Sequence, residues 1–331
     1  MTGVICKVFT TVGVAFSREE EMSRPISMGK GEGRGTVLQS SRRRAIVWTS
    51  EGKIVPAPLV GRTTEPCVGD EVVIRSECNE LVIASVEERR SLLRRSYEGR
   101  TKQLAANVDK LFVVAAIEPL FNTHMIDRAI VAARAEGIPV ALVCNKIDID
   151  PHAVSGEVRD TYAHIGVELL FTSCRSGEGM SAVEDAIFGG SVRHVVFCGI
   201  SGVGKSSLLN RLIPDALRAV GEVSRKTGQG KQTTSVAVGV PVVRADGAVR
   251  IVTDTPGVQH FGLTHLPSEG LITYFPDLYR YAEHCGFRDC RHLAEPSCEV
   301  REALKRGDVL GSRYESFRHI EEEIRGSERY R

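Results

Sequence analysis

Residues 199–207, GISGVGKSS, combine three glycines with a lysine and three serines. They match the pattern G-x-x-x-x-G-K-S in full, a loop whose backbone amides and lysine cradle phosphate groups. An apolar run, HVVFCGI, precedes the loop and a helix-like run, SSLLNRLI, follows it, which is the context such a loop requires. We therefore expect Lys205 to reach the β- and γ-phosphates of a nucleotide and Ser206 to ligate Mg²⁺. The complete set of expected phosphate-binding residues is Gly199, Ser201, Gly202, Val203, Gly204, Lys205, Ser206 and Ser207.

A second phosphate-side motif, DTPG, follows the strand-like run VRIVT. Asp254 is expected at a strand end, where a carboxylate can hold Mg²⁺ through a water molecule. Gly257 can turn its amide toward the γ-phosphate. A four-residue motif is weak evidence alone, but together with a phosphate-binding loop it indicates a nucleotide triphosphate site.

The motif NKID follows the strand-like run PVALVC and indicates which base is bound. Guanine presents two N–H donors that one carboxylate can accept, whereas adenine would leave that carboxylate unpaired. We therefore assign Asp148 to guanine recognition, and expect Lys146 to lie along the base and Asn145 to tie loops together. Ser173 and the Cys174 amide, in the later run TSC, are expected near guanine O6. The same motif argues against an ATP-dependent kinase.

Between the phosphate loop and DTPG lies SRKTGQGKQTTS, a polar and glycine-rich segment typical of a nucleotide-dependent switch. Thr233 or Thr234 is expected to ligate Mg²⁺ and sense the γ-phosphate, and the spacing does not decide between them. Ras-like enzymes place a glutamine after D-x-x-G to orient the attacking water. Val258 stands at that place and cannot do so, which leaves Gln232 as a candidate for orienting water. The expected catalytic set is Lys205, Gln232, Thr233 and Thr234, and the expected Mg²⁺ ligands are Ser206, Thr234 and Asp254.

Three cysteines and a histidine cluster near the end of the chain as C-x₄-C-x-H-x₅-C. Three thiolates and one imidazole form a closed tetrahedral set typical of structural zinc. A disulfide or free buried thiols are the alternatives, and His284 is a rival ligand. We expect one structural Zn²⁺ bound by Cys285, Cys290, His292 and Cys298.

The whole chain has 331 residues, a formal net charge of +1 and ordinary globular composition. Near-neutral charge means that any nucleic-acid binding must come from local patches. No apolar run reaches membrane-spanning length, and no secretory leader is recognisable. We therefore expect a cytoplasmic protein with reduced thiols and no membrane partner.

The elements that position these motifs fall into four stretches. Residues 1–35 are polar and glycine-rich, and are expected to be a flexible extension. Residues 36–96 contain five short β-type runs, which suit a small OB-fold β-barrel. Residues 97–262 alternate continuous apolar strands with helices, which indicates an α/β domain with a largely parallel sheet. Residues 263–331 carry the Cys/His cluster and then a helical pattern, and are expected to form a mainly helical zinc-binding domain.

The motif order, NKID, TSC, GISGVGKSS and DTPG, resembles a circularly permuted GTPase. The flanking β-barrel and Cys/His domain narrow the resemblance to the RsgA (YjeQ) family of small ribosomal subunit biogenesis GTPases. Supporting stretches include DRAIVAARAEGIPVALVCNKID and DTPGVQHFGL. The resemblance implies a monomer that hydrolyses GTP to GDP, grips ribosomal RNA through its barrel and zinc domains, and is stimulated by the small subunit. The family usually has a histidine before the two threonines, where this chain has Gln232.

Two interpretations of function follow. The leading one is a GTPase that assists or checks late maturation of the small ribosomal subunit. The alternative is an RNA-binding scaffold whose guanine nucleotide is structural and not turned over, an idea that Val258 and Gln232 keep open. Because DTPG leads directly into the zinc domain, we also expect loss of the γ-phosphate to be coupled mechanically to that domain.

Overall fold

The computed structural model describes residues 32–41, 44–60, 65–77, 80–97, 99–118, 121–150, 156–214, 216–217, 236–244, 247–256 and 261–329. Most of the predicted extension, residues 1–31, therefore lies outside the described part. Among the helices within these ranges, none combines the length and the apolar composition needed to cross a bilayer.

Five antiparallel strands form the first sheet, in the order β3-β2-β1-β4-β5. A bridge between Leu59 and Ile83 brings the two edges together, so the sheet curls toward a barrel. Alternate residues point inward, and Val37, Val47 and Ile74 lie in its apolar core. The predicted small five-stranded β unit is thus confirmed. Its strands are β1 (Gly33–Ser40), β2 (Arg44–Thr49), β3 (Ile54–Pro58), β4 (Glu71–Glu77) and β5 (Glu80–Val86).

A separate two-stranded hairpin follows, formed by β6 (Leu92–Tyr97) and β7 (Arg100–Ala106). The sequence analysis did not predict it, because the run LLRRSYEGRTKQLAA is mostly polar and lacks clean alternation. Ser96 of this hairpin forms a β-bridge with Gly262, so the hairpin lies against the chain that leaves the DTPG motif.

The central sheet has six strands in the order β10-β9-β8-β11-β13-β12. All neighbouring pairs are parallel except β12–β13, which is antiparallel. This confirms the predicted largely parallel sheet, whose continuous apolar strands are buried on both faces. The strands are β8 (Lys110–Ala116), β9 (Val140–Asn145), β10 (Glu168–Thr172), β11 (His194–Cys198), β12 (Val238–Val243) and β13 (Val249–Asp254).

Helices cover both faces of this sheet. One apolar core contains α1, and the other contains α3 and α4. Helix α1 begins at Thr123 because the Asn122 side chain accepts the Met125 N–H at 3.0 Å. The helices are α1 (Thr123–Ala135), α2 (Glu157–His164), α3 (Met180–Phe188) and α4 (Lys205–Leu212).

The C-terminal region is helical, as predicted. It comprises a 3₁₀ helix (Leu271–Tyr274), α5 (Pro276–Ala282), α6 (Glu299–Arg306) and α7 (Gly311–Glu328). Phe317, Ile320 and Ile324 of α7 are buried in the same apolar core as α1. The C-terminal helices therefore share a core with the central sheet. The division of the chain at residues 35, 96 and 262 stays a prediction.

A buried ion network ties the C-terminal helices to α1. Arg313 is 1% exposed and pairs with Asp127, which is fully buried. The same guanidinium binds both carboxylate oxygens of Asp277 on α5, at 2.9 and 3.0 Å. Tyr162 donates its hydroxyl to Asp127 at 3.0 Å. Buried ion pairs are costly to break, so this network fixes the C-terminal helices on the sheet.

A second set of contacts packs the barrel against the central sheet. Leu38 and Ile46 of the barrel pack on Ile251 of β13. His194, at the start of β11, makes hydrogen bonds to the Ala106 carbonyl at 2.9 Å and to the Thr253 hydroxyl at 2.7 Å. Burial lowers the pKa of His194 to about 4, so its imidazole is neutral at pH 7.

Candidate functional site

The phosphate loop lies where the sequence places it, between the buried strand β11 and helix α4. Gly202 and Gly204 have φ values of 88° and 89°, in the left-handed region that favours glycine. A Cβ atom on Gly204 would also collide with the Asn145 side-chain amide. These glycines therefore allow the backbone to turn so that amides at the start of α4 point toward a bound phosphate.

Lys205 and the DTPG segment converge beside this loop. The Lys205 side chain is 8% exposed, pairs with the Asp254 carboxylate, and donates to the Thr255 carbonyl at 2.6 Å. The Thr255 hydroxyl donates to the Phe197 carbonyl of β11 at 2.8 Å, which anchors DTPG to the strand before the phosphate loop. Ser206 and Ser207 are exposed on the first turn of α4. The structure thus brings Lys205 and Asp254 together at one edge of the sheet.

Asn145 connects three loops at the same edge. It is 1% exposed, and its amide donates to the Val203 carbonyl of the phosphate loop at 2.9 Å. Its oxygen accepts the Thr172 hydroxyl at 3.1 Å and the Cys174 amide at 3.4 Å. The loop after β9, the loop after β10 and the phosphate loop are therefore held in one arrangement.

The residues expected to contact guanine lie together. The Ser173 hydroxyl donates to the Asp148 carboxylate at 2.5 Å and accepts the amides of Arg175 and Ser176. Lys146 has a φ of 65°, and its ammonium donates to the Glu118 carbonyl at 2.6 Å. These contacts orient the Asp148 carboxylate and fix the lysine stem beside it. A guanine-binding role for these residues stays a prediction.

Cys198 lies in an apolar core beneath the phosphate loop. It is fully buried at the end of β11, and burial raises the pKa of its thiol to about 12. The thiol is therefore a neutral packing group, and not a nucleophile. Burial likewise raises the pKa of the half-buried Cys174 thiol above its usual range.

The Cys/His cluster forms a compact potential metal centre. The ligand atoms of Cys285, Cys290, His292 and Cys298 all lie within 4.8 Å of one another. The Nδ1 atom of His292 is 3.4 Å from the Cys285 sulfur and 3.6 Å from the Cys298 sulfur. The Tyr314 hydroxyl of α7 donates to the His292 carbonyl at 2.7 Å, which holds the loop on that helix. These four side chains can hold a metal ion, and His284 is outside the cluster.

Comparison with known proteins identifies the family. A model described as "RsgA GTPase" matches residues 86–264, more than half of the chain. The chain belongs to the RsgA GTPase family. The resemblance drawn from the motif order is thereby confirmed.

Curated RsgA proteins are similar over most of the chain. The small ribosomal subunit biogenesis GTPase RsgA of Chromohalobacter salexigens is 39% identical over 256 residues, 76% of this chain and 73% of that protein. The corresponding RsgA 1 of Vibrio vulnificus is 34% identical over 301 residues, 88% of this chain and 84% of that protein.

Two solved structures share the fold. YjeQ from Thermotoga maritima matches with a TM-score of 0.68 at 27% identity, covering 89% of this chain and 99% of that one. YloQ, described as a circularly permuted GTPase, matches with a TM-score of 0.64 at 26% identity, covering 89% and 96%. Together with the sheets and helices described above, they confirm the predicted fold class of a β unit, a permuted GTPase core and a helical C-terminal region.

Sequence reasoning missed several residues that shape this RsgA-family site. Thr172 lies one position before Ser173 at the end of β10, so its place at a strand end was a usable signal. Arg211, in the last turn of α4, donates to the Cys174 carbonyl at 2.9 Å and so supports the loop expected near guanine O6. No local pattern indicated Arg211, because its partner is 37 residues away in the chain.

Several expected site residues lie outside the described part of the structure. They are Gln232, Thr233, Thr234 and Gly257, together with Val258. Their expected roles in Mg²⁺ binding and hydrolysis therefore stay predictions.

Proposed function

We propose that this chain is a GTPase that binds the small ribosomal subunit, assists or checks its late maturation, and hydrolyses GTP to GDP and phosphate. Membership of the RsgA GTPase family supports the hydrolysis. The names of the curated relatives supply the small ribosomal subunit as the partner. The observation that carries the proposal is the meeting of Lys205, Asp254 and Asn145, from three separate motifs, at one edge of the sheet.

The site residues divide into a phosphate end and a base end. At the phosphate end, the amides of residues 199–207 and the Lys205 ammonium bind the β- and γ-phosphates. At the base end, Asp148 accepts the two guanine N–H groups, and Ser173 and the Cys174 amide lie near O6. Asn145 couples the ends, because its amide binds the Val203 carbonyl while its oxygen accepts the Cys174 N–H.

Mg²⁺ would be held by Ser206, Thr234 and, through water, Asp254. A bound Mg²⁺ would neutralise charge on the phosphate oxygens during transfer. Asp254 fits this role because its carboxylate lies beside the Lys205 ammonium, at the end of β13. Hydroxyl and carboxylate oxygens are the ligands that Mg²⁺ prefers.

The hydrolytic step depends on groups that differ from Ras-like enzymes. Val258 cannot orient water, and Gln232 replaces the histidine that the family usually carries. Gln232 can orient water by hydrogen bonding but cannot carry a charge. We infer that intrinsic hydrolysis is slow and is stimulated by the small subunit.

The Cys/His cluster would hold one structural Zn²⁺. With typical bond lengths to zinc, an ideal tetrahedron places sulfur and nitrogen about 3.6 Å apart and two sulfurs about 3.8 Å apart. The corresponding distances here are 3.4 and 3.6 Å for sulfur–nitrogen pairs and 4.0 Å for the Cys285 and Cys298 sulfurs. The donor set is complete with four protein ligands, so zinc would stabilise the loop and take no part in hydrolysis.

The proposed organisation has four parts: a flexible extension (1–35), an OB-fold barrel (36–96), the permuted GTPase domain (97–262) and a zinc-binding helical domain (263–331). The barrel and the zinc domain would contact ribosomal RNA. A ribosome-maturation role places the protein in the cytoplasm, where we expect a monomer.

The decisive experiment measures GTP turnover by the full chain with and without purified small subunits. We expect slow turnover alone, a rate increase of at least tenfold with subunits, and loss of both in Lys205→Ala. Thermal unfolding of Lys205→Ala checks that the variant folds. Bound guanine nucleotide without turnover under either condition would instead establish the structural-nucleotide scaffold. Fast turnover without subunits would refute the inferred dependence on the ribosome.

A further inference from the structure

A cleft of about 340 Å³ lies between the barrel, the β6–β7 hairpin and the segments that flank the nucleotide site. We call it the hairpin cleft. Its walls include Ser40 of β1, Cys67 in the loop before β4, and Arg95 and Lys102 of the hairpin. Pro256, from the DTPG motif, completes the wall on the nucleotide side. Its volume is that of a site for a nucleotide-sized group.

Two cations face each other in this cleft. Arg95 and Lys102 are directly opposite in the antiparallel register of β6 and β7, so their side chains leave the same face of the hairpin. Like charges at such positions repel each other. Within the described ranges of the chain, neither residue forms an ion pair. The cleft therefore holds an uncompensated pair of positive charges.

Arg95 is also partly withdrawn from water. Its Nε atom is buried and has no hydrogen-bond partner among the described residues. Burial lowers the pKa of Arg95 below its ordinary value, because no neighbouring carboxylate offsets the loss of solvation. Glu65 is the one acidic side chain among the described lining residues, and it is exposed. An anion entering the cleft would supply the missing partner.

The same face of the hairpin indicates what kind of anion. Tyr97 is two residues after Arg95 on β6, so it lies on the same face, and its register partner is Arg100. The Tyr97 side chain is 44% exposed, and the Lys102 ammonium lies 5.7 Å from its ring centre. This hairpin face thus carries three cations and one aromatic ring. Proteins bind single-stranded nucleic acid with this combination, because cations contact phosphates and rings stack on bases.

We propose that the hairpin cleft binds a phosphodiester of single-stranded RNA through Arg95 and Lys102, with an adjacent base on Tyr97. The proposal deepens the proposed function, on which it rests, by naming the contact that reports RNA to the nucleotide site. Pro256 lines the cleft, and the preceding Thr255 carbonyl accepts the Lys205 ammonium at 2.6 Å. An RNA phosphate in the cleft therefore lies next to the segment that positions the phosphate-binding lysine.

The test compares two double variants of the full chain, Arg95→Gln/Lys102→Gln and Arg193→Gln/Arg244→Gln. Each removes two positive charges, but Arg193 and Arg244 are exposed on the central α/β region and do not line the hairpin cleft. Affinity for a single-stranded RNA dodecamer and for purified small subunits is measured over a range of salt concentrations. The cleft variant should lose roughly tenfold in affinity per charge removed. Its plot of log affinity against log salt for the dodecamer should be shallower by about 1.4.

The melting temperature and the binding of inorganic pyrophosphate are measured for the same variants. Removing a repulsive pair should leave the melting temperature unchanged or slightly higher, so a loss of affinity with a lower melting temperature counts against a binding role. RNA affinity equal to that of the control variant overturns the proposal. So does binding of inorganic pyrophosphate that depends on Arg95 while RNA affinity does not. If the wild-type chain binds the dodecamer through Arg95 but ignores small subunits, the proposed function fails and the cleft assignment stands.

Discussion

Replacing Arg313 with methionine should separate the C-terminal helices from the GTPase core. The change removes the pair with Asp127, which is fully buried, and the two-point contact with Asp277. Asp127 would keep only neutral hydrogen-bond partners, the Tyr162 hydroxyl at 3.0 Å and the Ser316 hydroxyl, and would lose its cation. Breaking a buried ion pair by removing one partner costs about 3–5 kcal/mol. The methionine fills most of the space that the arginine side chain occupied. We therefore attribute the loss in free energy of unfolding to the carboxylates left without a cation, and not to a cavity.

The matched control is Arg318→Met on the same helix. Arg318 is 34% exposed and pairs with Glu315 and Glu322, which are also exposed. Exposed pairs contribute about 0–1 kcal/mol, so this variant should be close to wild type. A double variant, Arg313→Met/Asp127→Leu, should recover most of the loss because the carboxylate that is left without a cation, Asp277, is 18% exposed and not fully buried.

Urea unfolding followed by far-ultraviolet circular dichroism measures the change in free energy of unfolding. The chain has one tryptophan, Trp48, which lies in the barrel strand β2. Its fluorescence reports the barrel separately, so an effect confined to the C-terminal helices leaves the fluorescence transition in place. The reasoning is refuted if Arg313→Met unfolds within about 1 kcal/mol of Arg318→Met. It is also refuted if the double variant is as unstable as the sum of its single changes.

Four further predictions address the site and its supports. Asp148→Asn should shift preference from guanine to xanthine nucleotides, measured by competition binding, and an unchanged preference would remove Asp148 from base recognition. Arg211→Gln should weaken GTP and GDP equally, by roughly 2- to 10-fold, because it removes one hydrogen bond to the Cys174 carbonyl. Equal affinities of variant and wild type would count against this support. Metal analysis should find one zinc per chain, and Cys290→Ser should lose it and lower the melting temperature; zinc retained by the variant would contradict the ligand set. His194 has a folded-state pKa of about 4, below its unfolded value, so the unfolded chain binds the extra proton. Its contribution is therefore complete above about pH 6.5 and falls by up to about 3 kcal/mol toward pH 4. An unfolding free energy whose fall over this window is the same in His194→Asn would refute that assignment.

The phosphate loop could be predicted because its determinants are local. Glycines, lysine and serine within nine residues define the turn, and the flanking apolar and helical runs define the strand and helix. The Cys/His cluster was predictable for the same reason, since its ligand spacing is itself the pattern. In both cases the residues that form the site are neighbours in the chain.

The supporting contacts could not be predicted, because their partners are distant in the chain. Arg313 and Asp127 are separated by 186 residues, and neither belongs to a nucleotide-binding or metal-binding motif. The antiparallel pairing of β12 was not predicted because pairing direction depends on which strands meet in three dimensions. The β6–β7 hairpin was not predicted because its sequence is mostly polar. A basic hairpin sequence alone also fits a solvated surface. The structure adds that Arg95 and Lys102 are opposite each other in register and line one cleft. Only this arrangement indicates an anion-binding site.

The permuted order of the motifs has a structural consequence. Strand β11, which leads into the phosphate loop, still lies between β8 and β13, so permutation leaves the nucleotide site intact. What changes is where the chain goes after DTPG. Thr255 is anchored to the Phe197 carbonyl at 2.8 Å, and Arg128 of α1 donates to the Phe261 carbonyl at 3.2 Å. The chain between these anchors is short, and beyond them it enters the helices that Arg313 holds on α1. A displacement of Asp254 can therefore be transmitted to two elements to which the chain is anchored, the strand before the phosphate loop and the C-terminal helices.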